Sequence, residues 1–160
     1  MRCLVIALAL AAAACRSTSL EPAGTSRNPG DPGSPPPPNP SQPISLTVTL
    51  TVLTENPTPL GLPTRLAITA AHSPAAGGRV DVNWQALDGD PDIGPRAGPG
   101  QLEFSSDGTR ATITLTAQGQ PAGSANPLQL SGTRGATEIT GKFLDRLFYP
   151  RAGLFEAAIQ

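Results

Sequence analysis

Three carboxylates at alternate positions, Asp88, Asp90 and Asp92, are the densest group of chemistry-bearing side chains in this sequence. They lie in Asp88-Gly89-Asp90-Pro91-Asp92-Ile93-Gly94, and oxygens spaced this way can converge on a hard cation such as calcium. An EF-hand loop would carry Gly where Ile93 stands and a bidentate Glu where Pro99 stands, so the match is partial. The same residues also suit a solvated loop in which Asp and Gly serve turn geometry. Calcium is the one cofactor the sequence suggests. For catalysis there is little material. His72 is the single imidazole, it sits beside Ser73, and no Gly-x-Ser-x-Gly occurs to set a nucleophile on a strained turn. One His and two Cys exclude a Cys/His zinc cage. With 11 Lys+Arg against 12 Asp+Glu, the chain lacks the clustered cations that nucleic-acid phosphates require. The sequence therefore reads as a non-enzyme with no nucleic-acid partner.

The two cysteines, Cys3 and Cys15, both fall at the N-terminal end of the 160 residues. Met1-Arg2 supplies one positive charge, and Cys3 to Ala14 is an unbroken run of apolar and small residues. A bilayer span takes about twenty such residues, so this shorter run has the size of a secretory signal. Ala12-Ala13-Ala14-Cys15, followed by Arg16-Ser17-Thr18-Ser19, resembles the lipobox of bacterial lipoproteins. Ala12 stands where that family usually has Leu. The resemblance implies a signal peptide over 1–14, diacylglyceryl transfer to the Cys15 thiol, and cleavage that leaves Cys15 as the first residue. The ordinary alternative is cleavage after Ala12-Ala13-Ala14, leaving Cys15 a free thiol. Two or more acyl chains, each buried CH₂ contributing about 0.8 kcal/mol, would make membrane attachment effectively permanent.

Residues 15–43 then form the lipidated Cys and a Pro-rich linker. Nine prolines fall within 16–43, four of them in Pro35-Pro36-Pro37-Pro38, and Leu20 is the one large apolar residue. Such a stretch cannot bury enough surface to offset the entropy of ordering it, so it reads as a disordered tether.

At Ile44 the pattern changes. Ile44, Leu46, Val48, Leu50 and Val52 alternate with Ser45, Thr47, Thr49 and Thr51, one apolar and one polar face of a strand. Pro57, Pro59 and Pro63 end it. Further alternating strands follow at Leu66–Ala70, at Val80, Val82 and Trp84, at Leu102 and Phe104, at Ala111–Ala117, and at Leu128 and Leu130. Asp107-Gly108 signals a hairpin turn, and the Gly- and Pro-rich 89–100 reads as a loop. The segment around Phe143, Leu144, Leu147 and Phe148 admits either a helical turn or a bulged strand. Short alternating strands with frequent turns predict an all-β, antiparallel β-sandwich over 44–160.

A core-facing Trp84 on the third strand resembles the immunoglobulin-like arrangement, without its inter-sheet disulfide. Gly153-Leu154-Phe155-Glu156-Ala157 is similar to the Gly-x-Tyr-x segment of a late strand in that family, with Phe155 in the Tyr position. The resemblance implies a sheet edge that is either filled by Ile44–Thr54 or left open to accept a partner's strand. Together these features predict a protein of the cell envelope, lipid-anchored to the outer membrane or cell surface through Cys15. Its expected role is binding, adhesion or scaffolding toward an envelope protein or glycan. The alternatives are an accessory subunit of an envelope machine, or an inhibitor of envelope hydrolases.

Overall fold

The computed structural model describes residues 41–55, 57–120 and 126–160. The signal peptide expected over 1–14, the expected lipidation site Cys15 and residues 16–40 of the expected linker lie outside the described residues. Eight strands follow in order: β1 (Ile44–Val52), β2 (Arg65–Ala70), β3 (Arg79–Ala86), β4 (Ala97–Phe104), β5 (Arg110–Leu115), β6 (Leu128–Arg134), β7 (Glu138–Asp145) and β8 (Arg151–Ile159). Each pairs antiparallel with the next, and β8 returns to pair with β1, closing the sheet into an up-and-down barrel.

This closure overturns the immunoglobulin-like β-sandwich. Leu46 on β1 is paired with Ile68 of β2 on one side and with Ile159 of β8 on the other. Among the described residues the sheet has no free edge, so the open edge expected of a sandwich does not exist. Alternation of apolar and polar residues does not separate the two architectures, because each needs a wall that is dry on one face and wet on the other. The segment at 143–148 is also settled. Phe143 and Leu144 belong to β7, and a five-residue turn, 146–150, leads into β8. Gly98-Pro99-Gly100, read as loop, lies within β4.

The interior is filled by side chains. Leu46, Val48, Leu66, Leu102, Ile113, Leu115, Leu128, Leu130 and Ile139 are fully buried, with Trp84, Phe104, Phe143 and Phe155 among them. An eight-stranded barrel is just wide enough for side chains to meet across its axis, so this is a packed core. Each large aliphatic side chain buried there contributes about 1.5–3 kcal/mol.

Closing so small a barrel requires strong coiling, and glycine makes room for it at the β7–β8 seam. Gly141 faces Phe155 and Gly153 faces Phe143, two reciprocal pairs across one strand pairing. A Cβ on Gly153 would press into the Thr51 carbonyl and stand 2.7 Å from the Phe143 ring. A Cβ on Gly132, beside Gly141 on β6, would stand 3.1 Å from the Phe155 ring. The two rings therefore occupy the space that the glycines leave.

The barrel has two unlike ends. The near end, where the chain enters at Ile44 and leaves at Ile159, carries the connections 71–78, 105–109 and 135–137. There Arg134 lies over the Phe104 ring, 5.1 Å from its centroid. In the 105–109 turn, Asp107 accepts from the Ser105 hydroxyl at 2.5 Å and the Thr109 amide at 3.0 Å. The far end carries the longer connections 53–64, 87–96 and 116–127, together with 146–150.

Candidate functional site

The far end is closed by a buried ion pair. Asp145 ends β7 and Arg151 begins β8, register partners on either side of the turn, and Arg151 Nε lies 2.7 Å from Asp145 Oδ2. Both residues point into the barrel, at 0% and 2% exposure. The other oxygen, Asp145 Oδ1, accepts from the Leu147 and Phe148 amides at 2.9 and 3.0 Å. Arg151 Nη2 donates to the Pro63 carbonyl at 2.7 Å, which ties the 53–64 connection to the seam. Phe148 folds back across the guanidinium, 5.8 Å from its ring centroid, and meets Trp84 edge-on at 5.7 Å. Trp84 Nε1 donates to the Thr116 carbonyl at 2.7 Å, holding the 116–127 connection. Buried charges are stable only when paired and hydrogen-bonded, and this pair satisfies both conditions.

Asp88, Asp90 and Asp92 all lie on the far-end connection 87–96, and the Asp88 and Asp90 carboxylates accept from backbone amides. Asp88 accepts from the Thr64 amide (2.8 Å), the Thr64 hydroxyl (2.7 Å) and the Arg65 amide (2.9 Å). Asp90 accepts from the Asp92 amide at 3.0 Å, and the Asp90 amide donates to the Gly61 carbonyl at 2.6 Å. Among the described residues no three His, Cys, Asp or Glu side chains gather as a metal cluster. The Asp88 carboxylate and the Asp90 amide thus clamp the 87–96 connection onto the 53–64 connection. His72 and Ser73 sit at the near end, on the 71–78 connection, where the Ser73 amide donates to the Gln42 carbonyl. The barrel's length separates them from the far-end carboxylates.

Clamping has a titration signature. Burial raises the Asp88 pKa, but the Arg65 amide, the Thr64 hydroxyl and amide, and the Arg65 charge outweigh it and hold the carboxyl below its ordinary 3.8. Hydrogen bonds from Ser105 and Thr109 lower Asp107 to about 2. A carboxyl depressed in the folded state stabilises fully above its unfolded pKa, and the contribution is lost as pH falls through the folded value. The melting temperature is therefore expected to drop as pH falls from 3.8 to about 2. A chain carrying Asp88→Asn and Asp107→Asn should show a shallower drop, and an unchanged slope would refute the assignment.

These clamps hold up a projecting turn. In Pro57-Thr58-Pro59-Leu60-Gly61-Leu62-Pro63, Gly61 has φ +89°, as the third position of a type II turn requires. Leu62 and Pro63 pack inward, while Leu60 is 93% exposed. Among the described residues the other large exposed apolar side chains are Leu53, Leu87, Leu144, Tyr149 and Leu154. All six stand on the far-end connections or on the outer face of β7 and β8 next to them. Leu53, Thr54, Lys142, Phe143, Ala152, Gly153 and Leu154 surround a hollow of about 250 Å³ in that outer face. A second, uncharged groove of about 410 Å³ crosses β2–β4, with Asn83, Gln85 and Gln118 over Ala67, Ala97 and Pro99.

Elsewhere the wall is polar outside and apolar inside. Thr47, Thr49, Thr112, Thr114, Asp81 and Gln101 face out on the central strands, opposite the core residues. A barrel that spans a bilayer has the reverse arrangement, with an apolar band outside and a polar lumen.

Sequence reasoning placed the aspartates in one loop but missed the Asp145–Arg151 pair and Leu60. Opposite charges flanking Pro150 across a short turn, and a leucine set among three prolines beside a glycine, were the available signals. Of the aromatic residues near the C-terminus, Phe143 and Phe155 are buried and Phe148 covers Arg151, while Tyr149 is exposed. No protein-family model, curated protein or solved structure matches the chain.

Proposed function

We propose that this chain is a lipid-anchored cell-envelope protein that binds a protein partner through the far end of its barrel and catalyses nothing. The observation that carries this reading is the segregation of exposed apolar side chains. Leu53, Leu60, Leu87, Leu144, Tyr149 and Leu154 all collect at or beside the far end. Anything N-terminal of Ser41 joins the barrel at the near end, where β1 begins. Attachment through Cys15 rests on the Ala12-Ala13-Ala14-Cys15 pattern. Exposed apolar clusters on otherwise polar surfaces mark association sites, and the leucines here stand on braced connections, which lowers the ordering cost of binding. The filled interior directs any ligand to the outside of the barrel.

Photo-crosslinking in intact envelopes tests the reading. A crosslinker at Leu60 or Leu87 is expected to give a discrete protein adduct, and one at Thr112 on the polar wall is not. Cys15→Ser should release the protein from the membrane fraction. Equal yields from both positions would remove the far end as the contact surface, and unchanged partitioning would remove the anchor.

A further inference from the structure

We propose that the partner at the far end is a second copy of this chain, with Leu60 of each copy seated in the apolar hollow of the other. This rests on the reading above that the far end is a binding surface, and goes on to name its occupant. The chain carries both halves of such a contact. The projecting half is Leu60, almost wholly exposed at the tip of its turn. Its base cannot yield easily. Gly61, Pro63, Thr64 and Arg65 are all hydrogen-bonded to the neighbouring Asp90, Arg151, Asp88 and Leu87. A leucine kept in water on so stiff a support loses little further freedom when it is buried.

The receiving half is the hollow of about 250 Å³ on the outer face of β7, β8 and the start of the 53–64 connection. Apolar cavities of roughly 150 Å³ accept benzene, so this one has room for a leucine side chain. Its walls are Leu53, Phe143, Ala152, Gly153 and Leu154, with Lys142 as the only charged member.

Both halves share one connection. Leu53 opens the 53–64 segment and lines the hollow, while Leu60 stands at its tip. A twofold axis passing beside this segment exchanges the two features, so each copy gives one knob and takes one. Such an isologous contact closes as a dimer and leaves nothing to propagate. The charges agree with it. Glu55 lies on the connection that carries the knob, and Lys142 lies at the hollow, so approach of two copies brings opposite charges together. Lys142 takes no part in the buried Asp145–Arg151 pair.

Sedimentation equilibrium of the exported chain carrying Cys15→Ser tests this without lipid. A monomer–dimer equilibrium is expected, with Leu60→Asp and Leu154→Asp each weakening it about 30-fold or more, as for a central apolar anchor. Thr112→Asp on the polar wall should leave it unchanged. Circular dichroism confirms that each variant is folded. A second measurement does not depend on losing an interaction. With Cys15→Ser no thiol remains after the signal, so a mixture of Leu60→Cys and Leu154→Cys chains should form a mixed disulfide faster than either chain alone. A chain that stays monomeric at high micromolar concentration overturns the proposal, as does a dimer indifferent to Leu60→Asp. If the chain is monomeric while far-end crosslinks catch another protein, the dimer falls and the binding surface stands. Failure of both experiments removes the surface itself.

Discussion

Replacing Arg151 with leucine is expected to cost about 3–5 kcal/mol of stability, read as a lower urea midpoint at unchanged slope. The pair lies beneath the surface, with Arg151 Nε 2.7 Å from Asp145 Oδ2 and side-chain exposures of 1% and 0%. Leucine would leave the Asp145 carboxylate in an apolar setting with two backbone amides for company, and would orphan the Pro63 carbonyl. It would also uncover Phe148, which lies over the guanidinium. Arg151→Lys is expected to recover part of the loss, because an ammonium restores the charge but lacks the fork that reaches Asp145 and Pro63 together. A cost below about 1 kcal/mol, the range of exposed ion pairs, would show that water reaches the pair. Because Arg151 also fixes the base of the Leu60 turn, the same variant should widen local motion at 57–63, visible as faster amide exchange there.

Gly153→Ala is the second large effect. One methyl group there meets the Thr51 carbonyl on the neighbouring strand and the Phe143 ring, neither of which is a flexible chain end. Overpacking of a dense core typically costs 1–3 kcal/mol, and more where backbone must move. A loss of about 3 kcal/mol or more is therefore expected, with slower or incomplete refolding because β8 closes the barrel against β1. Gly135→Ala is the matched control. Its nearest neighbour would stand at 3.4 Å, ordinary contact, and its backbone is not left-handed. It should change stability by no more than about 0.5 kcal/mol. If both substitutions proved equally mild, the tight β7–β8 seam would not be what closes the sheet.

The strands were legible where period-two alternation was strong. Ile44–Val52 and Arg110–Leu115 read directly as half-buried strands, since a side chain every second residue must face the core. Strand β7 was ambiguous because Phe143-Leu144 and Leu147-Phe148 mimic helical spacing. The second pair belongs to the turn, with Phe148 folded over Arg151, and Asp145 breaks the inner apolar row. Strand β4 was hidden by Gly98-Pro99-Gly100, residues that normally mark loops. Here the Cβ that Gly98 lacks would meet the Thr116 carbonyl and the one Gly100 lacks would meet the Thr114 carbonyl, so the glycines allow neighbouring strands to crowd. Asp88, Asp90 and Asp92 were visible as a group, but the same acceptor oxygens suit a cation or a backbone amide. Thr64 and Arg65, 24 and 23 residues before Asp88, settle what its carboxylate does.

By itself the sequence determined the all-β class, the faces of the clearest strands, and the break in composition at Ile44. These follow from local chemistry: alternation, proline and glycine placement, and the entropy of a Pro-rich chain. Only the tertiary structure decided between two sheets facing each other and one sheet closed on itself. That choice depends on whether β8 pairs with β1, a contact between residues about a hundred positions apart that leaves the alternation unchanged. The same closure turned Asp145 and Arg151 inward as a pair and gathered six exposed apolar side chains at one end. Residues distant in the chain became one surface because a closed barrel brings alternate connections to the same rim.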